Sequence, residues 1–363
     1  MRVLVVNAGS SSLKLSVLEG DEAVSSQTIP APGGSVDADA LGTAIRRMGP
    51  FHAIGHRIVH GGTEFVEPVR IDERVVRRLE ALTDLAPLHQ PKSLLALEAV
   101  TAVVPEMPAV ASFDTAFHAR MPAAASTYAL PPEWRKRWSL RRFGFHGLSH
   151  AYASARAAEL AGEPVDDLRI VTCHLGAGAS LAAVAAGISV DTTMGFTPLE
   201  GLVMATRSGS VDPGLVLWLE DHVGMPPQEL ASTLEHRSGL LGLAGTADMR
   251  AVLDAAAAGN EEATLAVDVY LHRLRAGIAA MAAAMNGLDV LVFTGGVGER
   301  SAPVRARAAA GLSFLGVALD LAANAQPELD ADIGARGAAV RTFVVAARED
   351  LQIARDVRRV LGF

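Results

Sequence analysis

Apolar runs and short polar turns alternate at the start of each half of the chain. Residues 2–6 are mostly apolar and β-branched, which predicts a buried strand, and residues 13–18 predict a second strand after a turn of small residues. The same layout recurs at 170–187. Two such strand–turn–strand units predict a duplicated domain, with one small-residue turn in each half.

Strand-like and helical segments alternate along the rest of the chain. Residues 21–50 are polar and contain prolines and glycines, so we expect a loop and a surface helix there. Apolar runs predict strands at 110–113, 290–293 and 342–345. Helical spacing predicts helices at 71–85, 91–103, 151–162, 214–222, 260–286, 303–312 and 350–361. This alternation predicts an α/β protein with mixed sheets.

Length, charge and cysteine content narrow the class of protein. A chain of 363 residues is long enough for two domains. Its net charge of −8 argues against a general nucleic-acid binder, because no basic surplus can neutralise phosphates. We find neither a run of 18 uncharged apolar residues nor the layout of a signal peptide, so we expect no membrane partner. The single cysteine, Cys173, cannot form an internal disulfide, which predicts a cytoplasmic location.

Three segments of small residues follow predicted strands and suit phosphate binding. They are 7–14, 174–178 and 295–299. Small residues let backbone N–H groups approach phosphate oxygens, and Lys14, one of three lysines in the chain, could add a cation. None of the segments is a Walker P-loop or a complete Rossmann fingerprint, so each alone is also explained as a plain connection. Together they favour a phosphate-handling protein.

Charged residues in apolar or small-residue surroundings are candidates for substrate and metal contacts. Arg57 and Arg207 could each clamp a carboxylate or phosphate, or could instead satisfy carbonyl groups of the fold. Asp114 follows a predicted strand and could bind a magnesium ion, manage a proton or cap the next helix. Glu349, which also follows a predicted strand, has the same alternatives.

The histidines argue against a zinc site. His52, His56 and His60 recur every four residues, but their segment is strand-like, so the spacing does not place them on one helix face. His146 and His174 fit better as hydrogen-bond donors to a transferring phosphoryl group.

Taken together, these segments resemble the acetate kinase family. The resemblance runs in family order from residue 3 to the C-terminus, and its long block at 193–213 is very specific. The matching motifs are 7–14, 55–62, 85–89, 113–118, 142–146, 174–176, 193–202, 206–209, 212–213, 238–242, 248–250 and 293–299.

The resemblance implies a fold and a reaction. The fold is the duplicated ribonuclease-H-like, actin-like ATPase fold, in which two domains with mixed sheets close on an interdomain cleft. The implied first domain comprises 1–118 and 351–363, and the implied second domain, 119–350, carries the nucleotide site and a homodimer interface. The implied reaction is a reversible, magnesium-dependent phosphoryl transfer between ATP and acetate, giving acetyl phosphate and ADP, with manganese as an alternative metal.

The resemblance also assigns roles to individual positions. The metal ligands would be Asn7 and Glu349. The catalytic residues would be Arg57, Asp114, His146 and Arg207, with Arg57 also binding the substrate. The apolar pocket for the acetate methyl group would comprise Val59, Leu88, Phe145 and Pro198. The nucleotide would contact Ser10, Ser12, Lys14, His174, Leu175, Gly176, Ala177, Gly178, Asp248, Met249, Arg250, Gly296, Val297, Gly298, Glu299 and Arg300.

The chain departs from the family pattern at several places. The segment between residues 20 and 55 is shorter than is usual in the family, and Ala177 and Gln90 each replace an asparagine. These departures keep propionate or butyrate open as alternative acids, and GTP or pyrophosphate as alternative donors. A non-catalytic nucleotide-binding module is a remote alternative, because such a module would be expected to lose some of the cleft residues, and all of them are present.

Overall fold

A computed structural model describes residues 1–9, 12–31, 37–83 and 90–363, and the chain divides into two compact units. The first unit comprises Met1–Ala119, Phe145–Tyr152 and Arg348–Phe363, and the second comprises Arg120–Gly144 and Ala153–Ala347. In the described part of the chain, each unit contains a six-stranded mixed sheet. The predicted α/β class with mixed sheets is confirmed.

The first sheet is built around three parallel strands. Its strands are β1 (Arg2–Ala8), β2 (Ser12–Glu19), β3 (Glu22–Pro30), β4 (Ala53–Ile58), β5 (Val69–Arg70) and β6 (Ala109–Phe113). Their order is β3-β2-β1-β4-β6-β5, and β4 runs parallel to both β1 and β6. Because these three strands are parallel, their carboxyl ends meet at one edge of the sheet.

The second sheet repeats the first. Its strands are β7 (Arg169–Leu175), β8 (Ala179–Ala185), β9 (Ile188–Thr192), β10 (Val290–Thr294), β11 (Ala331–Asp332) and β12 (Arg341–Val344). Listed from β9, their order is β9-β8-β7-β10-β12-β11. Each pairing has the same direction as its counterpart in the first sheet. The predicted duplication is therefore confirmed.

The helices connect and cover the strands. They are α1 (Ala38–Arg47), α2 (Glu73–Glu80), α3 (Gln90–Val103), α4 (Ala123–Ser126), α5 (Pro132–Trp138), α6 (Gly147–Ala161), α7 (Pro213–Asp221), α8 (Pro227–His236), α9 (Gly239–Ala244), α10 (Met249–Ala257), α11 (Glu261–Ala284), α12 (Gly295–Arg300), α13 (Ala302–Ala310), α14 (Leu321–Ala325) and α15 (Glu349–Leu361). Several begin at a residue whose side chain accepts a backbone N–H, as the N-cap preference of aspartate and asparagine predicts. These caps are Asp37, Asp72, Asp212, Asp248, Asn260 and Asp320.

Local sequence explains the central strands and the helix that covers one of them. Residues 3–6 of β1 are at most 1% exposed, which fits a continuous apolar run in a strand covered on both faces. Helix α15 packs on β4 within the first unit, where a Cβ at Gly55 would collide with the side chains of Ile353 and Val357. Glycine at this position therefore allows the helix to approach the strand closely.

Two sequence expectations need correction. Segment 21–50 was predicted to be loop and surface helix, but it also contains strand β3, which lies at the edge of the first sheet. The small-residue segment 295–299, which could have been a plain connection after a strand, instead begins helix α12. Among the described residues, no helix combines the length and the apolar character needed to cross a membrane.

Candidate active site

Four polar side chains of the first unit form one connected network. The guanidinium of Arg57 makes a bidentate ion pair with Asp114, donating from Nε to Oδ1 at 2.9 Å and from Nη2 to Oδ2 at 2.6 Å. Its Nη1 donates to Oδ1 of Asn7 at 3.1 Å. Nδ2 of Asn7 donates in turn to Oε2 of Glu349 at 2.9 Å. The structure thus brings together four residues predicted for the metal, substrate and catalytic roles.

The sheet edge and one helix terminus place these four groups. Asn7 and Arg57 lie near the carboxyl ends of β1 and β4, and Asp114 directly follows β6. Glu349 is the first residue of α15. The carboxylate of Asp114 binds the Arg57 fork, and the 3-10 turn that follows has Thr115 at its N-cap position. The alternative role of Asp114 as a helix cap is therefore not what this structure shows.

Electrostatics keep Arg57 charged. Asp114 is 1% exposed, and the side chain of Arg57 is 16% exposed. Burial alone would lower the pKa of Arg57, but the charges of Asp114 and Glu349 and the hydrogen bonds to Asp114 outweigh burial and raise it above its ordinary value. A guanidinium has five N–H donors, and the bonds to Asp114 and Asn7 use three. The other two donors can serve a ligand oxygen.

His146 directly precedes helix α6 and has a left-handed backbone. Its φ of 56° is uncommon for a residue other than glycine, and such conformations concentrate at functional sites. The next residue, Gly147, donates its N–H to the carbonyl of Asp114 at 2.9 Å, and a Cβ at Gly147 would collide with that oxygen. The backbone that carries His146 is therefore seated directly against the backbone of Asp114.

Three of the four residues predicted for the acyl pocket lie in the described part of the chain. Val59 directly follows β4 and is partly buried. Phe145 is 1% exposed and presents its ring edge-on to the ring of His60, with 5.5 Å between centroids. Pro198 lies in the second unit and is partly buried. Leu88 lies outside the described residues, and so does Ser10 of the nucleotide set.

Arg207, in the second unit, has an acidic neighbour that the sequence analysis missed. Its Nε lies 3.4 Å from Oε1 of Glu235, which belongs to α8. Its Nη1 also donates to the carbonyl oxygen of Pro198 at 3.4 Å. Burial lowers the pKa of Arg207, and the charge of Glu235 opposes that shift. Because a guanidinium is not deprotonated in proteins, Arg207 remains a cation.

A second arginine of this unit holds the loop that carries Pro198. Nη2 of Arg142 donates to Oε1 of Glu200 at 2.6 Å, and its Nη1 donates to the carbonyl of Thr193 at 3.1 Å. The hydroxyl of Tyr128 donates to the other oxygen of Glu200 at 2.6 Å. Arg142 and Glu200 both belong to the motifs that resemble the family, and these contacts show that they fix the path of the loop.

Two of the predicted nucleotide segments are neighbours in the second unit. The turn between β7 and β8 closes with a hydrogen bond from the Gly176 N–H to the Gly178 carbonyl at 2.9 Å. Gly295, with a φ of 77°, begins α12 so close to Leu175 that a Cβ would stand 2.8 Å from the Leu175 carbonyl oxygen. At Gly296, nothing lies within 4 Å of where a Cβ would be. Two glycine-rich backbone segments therefore lie side by side, with Gly296 exposed.

Other nucleotide candidates lie on separate elements of the two units. Lys14 is exposed on β2 and stands directly opposite Asn7 in the antiparallel ladder, so the two side chains share one face of the sheet. Asp248 caps α10 by accepting the Arg250 N–H at 2.9 Å. Met249 is 5% exposed, so its side chain belongs to the core of the second unit.

The network in the first unit offers oxygen ligands of the kind that magnesium prefers. Asn7 and Glu349 are in direct contact, and Arg57 connects Asn7 to Asp114. Within the described ranges, no group of three or more histidine, cysteine, aspartate or glutamate side chains could hold a metal ion. Magnesium usually binds one or two carboxylates together with water and substrate phosphates. The donor set therefore fits an ion shared with a nucleotide rather than one enclosed by the protein.

Other side chains, not predicted as site residues, also hold this region in place. Oγ1 of Thr115 accepts the Gly61 N–H at 3.0 Å, and the amide of Gln90 binds the backbone of His60. Gln90 was noted only as a departure from the family pattern, and Thr115 gave no signal of its own. Glu235, the partner of Arg207, gave none either.

Comparison with known proteins identifies the family of the chain. A model of the acetokinase family matches residues 38–355. The acetate kinase of Microcystis aeruginosa is 45% identical over 397 aligned positions, which cover 98% of each chain. The crystal structure of Porphyromonas gingivalis acetate kinase is 35% identical and has a TM-score of 0.90 over 99% of both chains. A propionate kinase from Francisella tularensis is 34% identical, with a TM-score of 0.90 over 98% of both. The chain belongs to the acetokinase family.

Proposed function

We propose that the protein is an ATP:acetate phosphotransferase that reversibly forms acetyl phosphate and ADP by direct in-line transfer. The observation that carries the proposal is the network of Asn7, Arg57, Asp114 and Glu349, which holds a fixed guanidinium cation beside amide and carboxylate oxygens. Phosphoryl transfer requires positioning and neutralisation of charge rather than a covalent enzyme intermediate. Membership of the acetokinase family supports the same reaction.

In this proposal Arg57 binds the substrate carboxylate or the transferring phosphoryl group. Asp114 occupies the Nε–Nη2 edge of its guanidinium, so the two remaining N–H donors face the ligand. Asp114 is thereby the carboxylate that fixes the direction of Arg57. Its burial makes the ion pair rigid, because neither partner can easily exchange its hydrogen bonds for water.

Asn7 and Glu349 would hold a magnesium ion, with manganese as an alternative. The bound ion would neutralise negative charge on the nucleotide phosphates. Lys14, across the ladder from Asn7, adds a positive charge on the same face of the sheet. Replacing Glu349 with glutamine should raise the magnesium concentration needed for half-maximal activity, and an unchanged requirement would exclude Glu349 as a ligand.

His146 and Arg207 are the proposed donors to the transferring phosphoryl group. A cation and a histidine N–H directed at that group stabilise charge as it spreads over the equatorial oxygens. The left-handed backbone of His146 supports a functional role, because such a conformation persists only where its surroundings enforce it. The carboxylate of Glu235, 3.4 Å from Nε of Arg207, restricts the orientation of the guanidinium.

The nucleotide is proposed to bind the second domain. The resemblance implies 119–350 for that domain and 1–118 with 351–363 for the first, whereas in the structure 145–152 and 348–350 belong to the first unit. The support is the pair of adjacent glycine segments at 176–178 and 295–298, because small residues let phosphate oxygens approach the backbone. The donor is proposed to be ATP. GTP and pyrophosphate remain alternative donors because Ala177 departs from the family pattern.

Acetate is the proposed acid, with Val59, Leu88, Phe145 and Pro198 around its methyl group. Burial of one methyl group contributes only about 0.8 kcal/mol, so such a pocket selects against longer acids mainly by lack of room. The similarity to the Francisella tularensis propionate kinase keeps propionate as the second candidate.

One panel of assays tests the proposed reaction. Purified protein is incubated with C2, C3 or C4 acids and with ATP, GTP or pyrophosphate, and acyl phosphate is trapped with hydroxylamine. We expect the highest kcat/KM with acetate, ATP and magnesium. If no combination of acid and donor gives acyl phosphate, the kinase assignment is wrong.

We also propose that the protein is a homodimer that associates through its second domain. Helix α7, all of which the structure describes, has no buried residue, although its sequence is strongly apolar. Leu217 is 59% exposed and Trp218 is 50% exposed. An apolar patch of this kind marks an interaction surface. Sedimentation of the wild type and of Leu217→Glu tests the proposal, and a monomeric wild type would contradict it.

We propose a cytoplasmic location, because the single cysteine of the chain cannot form an internal disulfide. Cys173 is free and buried, which suits a reducing compartment.

A further inference from the structure

Gln90 lies in the interior of the first unit, and its amide pairs with the backbone of His60. The His60 N–H donates to Oε1 of Gln90 at 3.1 Å, and Nε2 of Gln90 donates back to the His60 carbonyl at 3.1 Å. A longer contact runs from Nε2 to the carbonyl of Leu79 at 3.4 Å. Gln90 itself is 0% exposed. Both donors of the amide and its acceptor oxygen are therefore committed to backbone.

The segment that Gln90 holds has left the sheet. Strand β4 ends at Ile58, so the following residues lose the ladder that satisfies buried backbone groups. Gln90 replaces that ladder at His60, Oγ1 of Thr115 accepts the Gly61 N–H, and Nδ1 of His60 accepts the Gly62 N–H at 2.9 Å. The path of residues 59–62 is thus set by side chains, and the length of the Gln90 side chain fixes where His60 stands.

His60 lies between Val59 and Phe145, two residues that are proposed to line the acyl pocket. Val59 directly precedes it, and the ring of Phe145 packs edge-on against its imidazole. The carbonyl of Phe145 is held by Nε2 of His118 at 3.1 Å, so Phe145 is fixed from the other side. A movement of the His60 backbone would therefore shift Val59 and loosen the packing of Phe145.

We propose that Gln90 is a positioning residue that determines acid specificity by fixing the depth of the acyl pocket through His60. The inference rests on the proposed function, because it assumes that Val59 and Phe145 line the site for the acid. Gln90 does not act on the reacting atoms. Its replacement should therefore change the choice between acetate and propionate more than it changes kcat with acetate.

Two substitutions separate this role from general stability. Gln90→Met preserves volume but removes both hydrogen bonds to His60. Gln90→Asn introduces the residue usual in the family, which is one methylene too short to reach both backbone groups in the observed arrangement. Leu97→Ala, at a buried position of the same helix α3, is the control, because it opens a cavity and keeps both hydrogen bonds between Gln90 and His60.

The measurements are kcat and KM with acetate and with propionate, together with the melting temperature. We expect the propionate-to-acetate ratio of kcat/KM to rise about threefold to tenfold in Gln90→Met, a part of what one methylene can discriminate. The rise should be smaller in Gln90→Asn, and kcat with acetate should stay within about twofold. Leu97→Ala should lower the melting temperature and leave the ratio unchanged.

An unchanged ratio in both Gln90 variants, with a melting temperature lowered as in Leu97→Ala, would overturn the proposal and make Gln90 a purely structural residue. If Gln90→Met does not fold, Gln90→Asn decides the question by itself. A wild-type protein that forms no acyl phosphate contradicts the proposed function, and that result is visible before any variant is compared.

Discussion

The two sheets share one backbone plan but present different chemistry at the same positions. Asp114 and Val345 are each the first residue after an equivalent strand, and each donates its N–H to the neighbouring strand, Asp114 to Ile58 at 3.1 Å and Val345 to Phe293 at 2.9 Å. The residue before Ile58 is Arg57, and the residue before Phe293 is a buried valine. An arginine–aspartate pair in the first sheet thus corresponds to two valines in the second.

The second sheet shows that this arrangement of strands can be built without the charges. In the second sheet, the equivalent positions Val292 and Val345 are both 0% exposed and belong to the core. In the second unit, glycine-rich segments rather than charged side chains follow β7 and β10. The first sheet therefore departs from the simplest way of filling this space, and such a departure is expected where a protein keeps a functional site.

Substitutions that make the first sheet resemble the second test whether the charged pair serves folding or catalysis. Asp114→Val leaves the Arg57 cation buried without its bidentate partner, which should cost about 3–5 kcal/mol of folding free energy. The double variant Arg57→Val, Asp114→Val should regain most of that loss, because a buried ion pair can often be replaced by apolar side chains without net cost. Both variants should lose at least about a thousandfold in kcat/KM. Urea unfolding and the hydroxylamine assay measure the two effects.

A reciprocal substitution serves as the control. Val345→Asp places a carboxylate at the equivalent buried position of the second sheet, where the valine at 292 offers no cation, and it should destabilise strongly. A double variant no more stable than Asp114→Val would show that the first sheet needs its ion pair to fold. Near-wild-type activity in either variant would remove the pair from the catalytic site.

The next largest effect should come from the second unit. Arg207→Ala should lower kcat at least about a hundredfold, since loss of one transition-state donor typically costs about 2.7–4 kcal/mol. Lysine at this position should restore only part of the rate, because it lacks the planar fork. Steady-state kinetics decide, with circular dichroism as the check on folding. Turnover close to wild type in Arg207→Ala would make Arg207 a structural residue that satisfies the Pro198 carbonyl and Glu235.

Lowering the pH should destabilise the first unit more than the second. Burial lowers the pKa of His56, His60 and His118 to about 4 each, and all three belong to the first unit. In the unfolded chain the pKa of each histidine is near 6.5. Above that pH the histidines are neutral in both states, so their contribution to the free energy of unfolding is fully present. As the pH falls from 6.5 toward 4 the unfolded chain binds protons that the folded chain does not, and that contribution is lost. Between pH 7 and pH 6 the three together should cost on the order of 2 kcal/mol.

The histidines of the second unit are not buried in this way. His174 is partly buried, and the others, His222, His236 and His272, are exposed. Hydrogen exchange followed by segment at pH 7 and pH 6 should therefore show protection falling first in the strands of the first unit, after correction for the intrinsic pH dependence of exchange. Equal loss of protection in both units would mean that the buried histidines do not control acid stability.

The sequence predicts best what a local pattern encodes. Strands β1 and β10 are continuous apolar runs because both faces are covered, and the long α11 repeats at helical spacing. Strand β3 was missed because an edge strand exposed along most of its length needs no apolar pattern. Its position is fixed by its register with β2 rather than by its own residues.

The site itself was only partly predictable for a related reason. Arg57 and Asp114 lie 57 residues apart, and each stood out because a charged residue in apolar surroundings is unusual. That they bind each other follows only from the parallel register of β4 and β6. Gln90 gave no such signal, because a glutamine that pairs with backbone leaves no periodic trace in the sequence. Motifs thus indicated residues that are proposed to meet a ligand, and the fold revealed side chains that hold them in place.

The smallest expected effect concerns Val59, at the end of the strand that carries Arg57. If Val59 contacts the substrate methyl group, Val59→Ala frees space for about two methyl groups, and propionate should gain on acetate by up to roughly tenfold per added methylene. KM for acetate should change more than kcat, because the methyl contact is similar in the ground and transition states. Val110→Ala, in the core of β6, is the matched control and should lower the melting temperature without changing the ratio. If Val59→Ala behaves like Val110→Ala, Val59 is a core residue and the acyl pocket lies elsewhere.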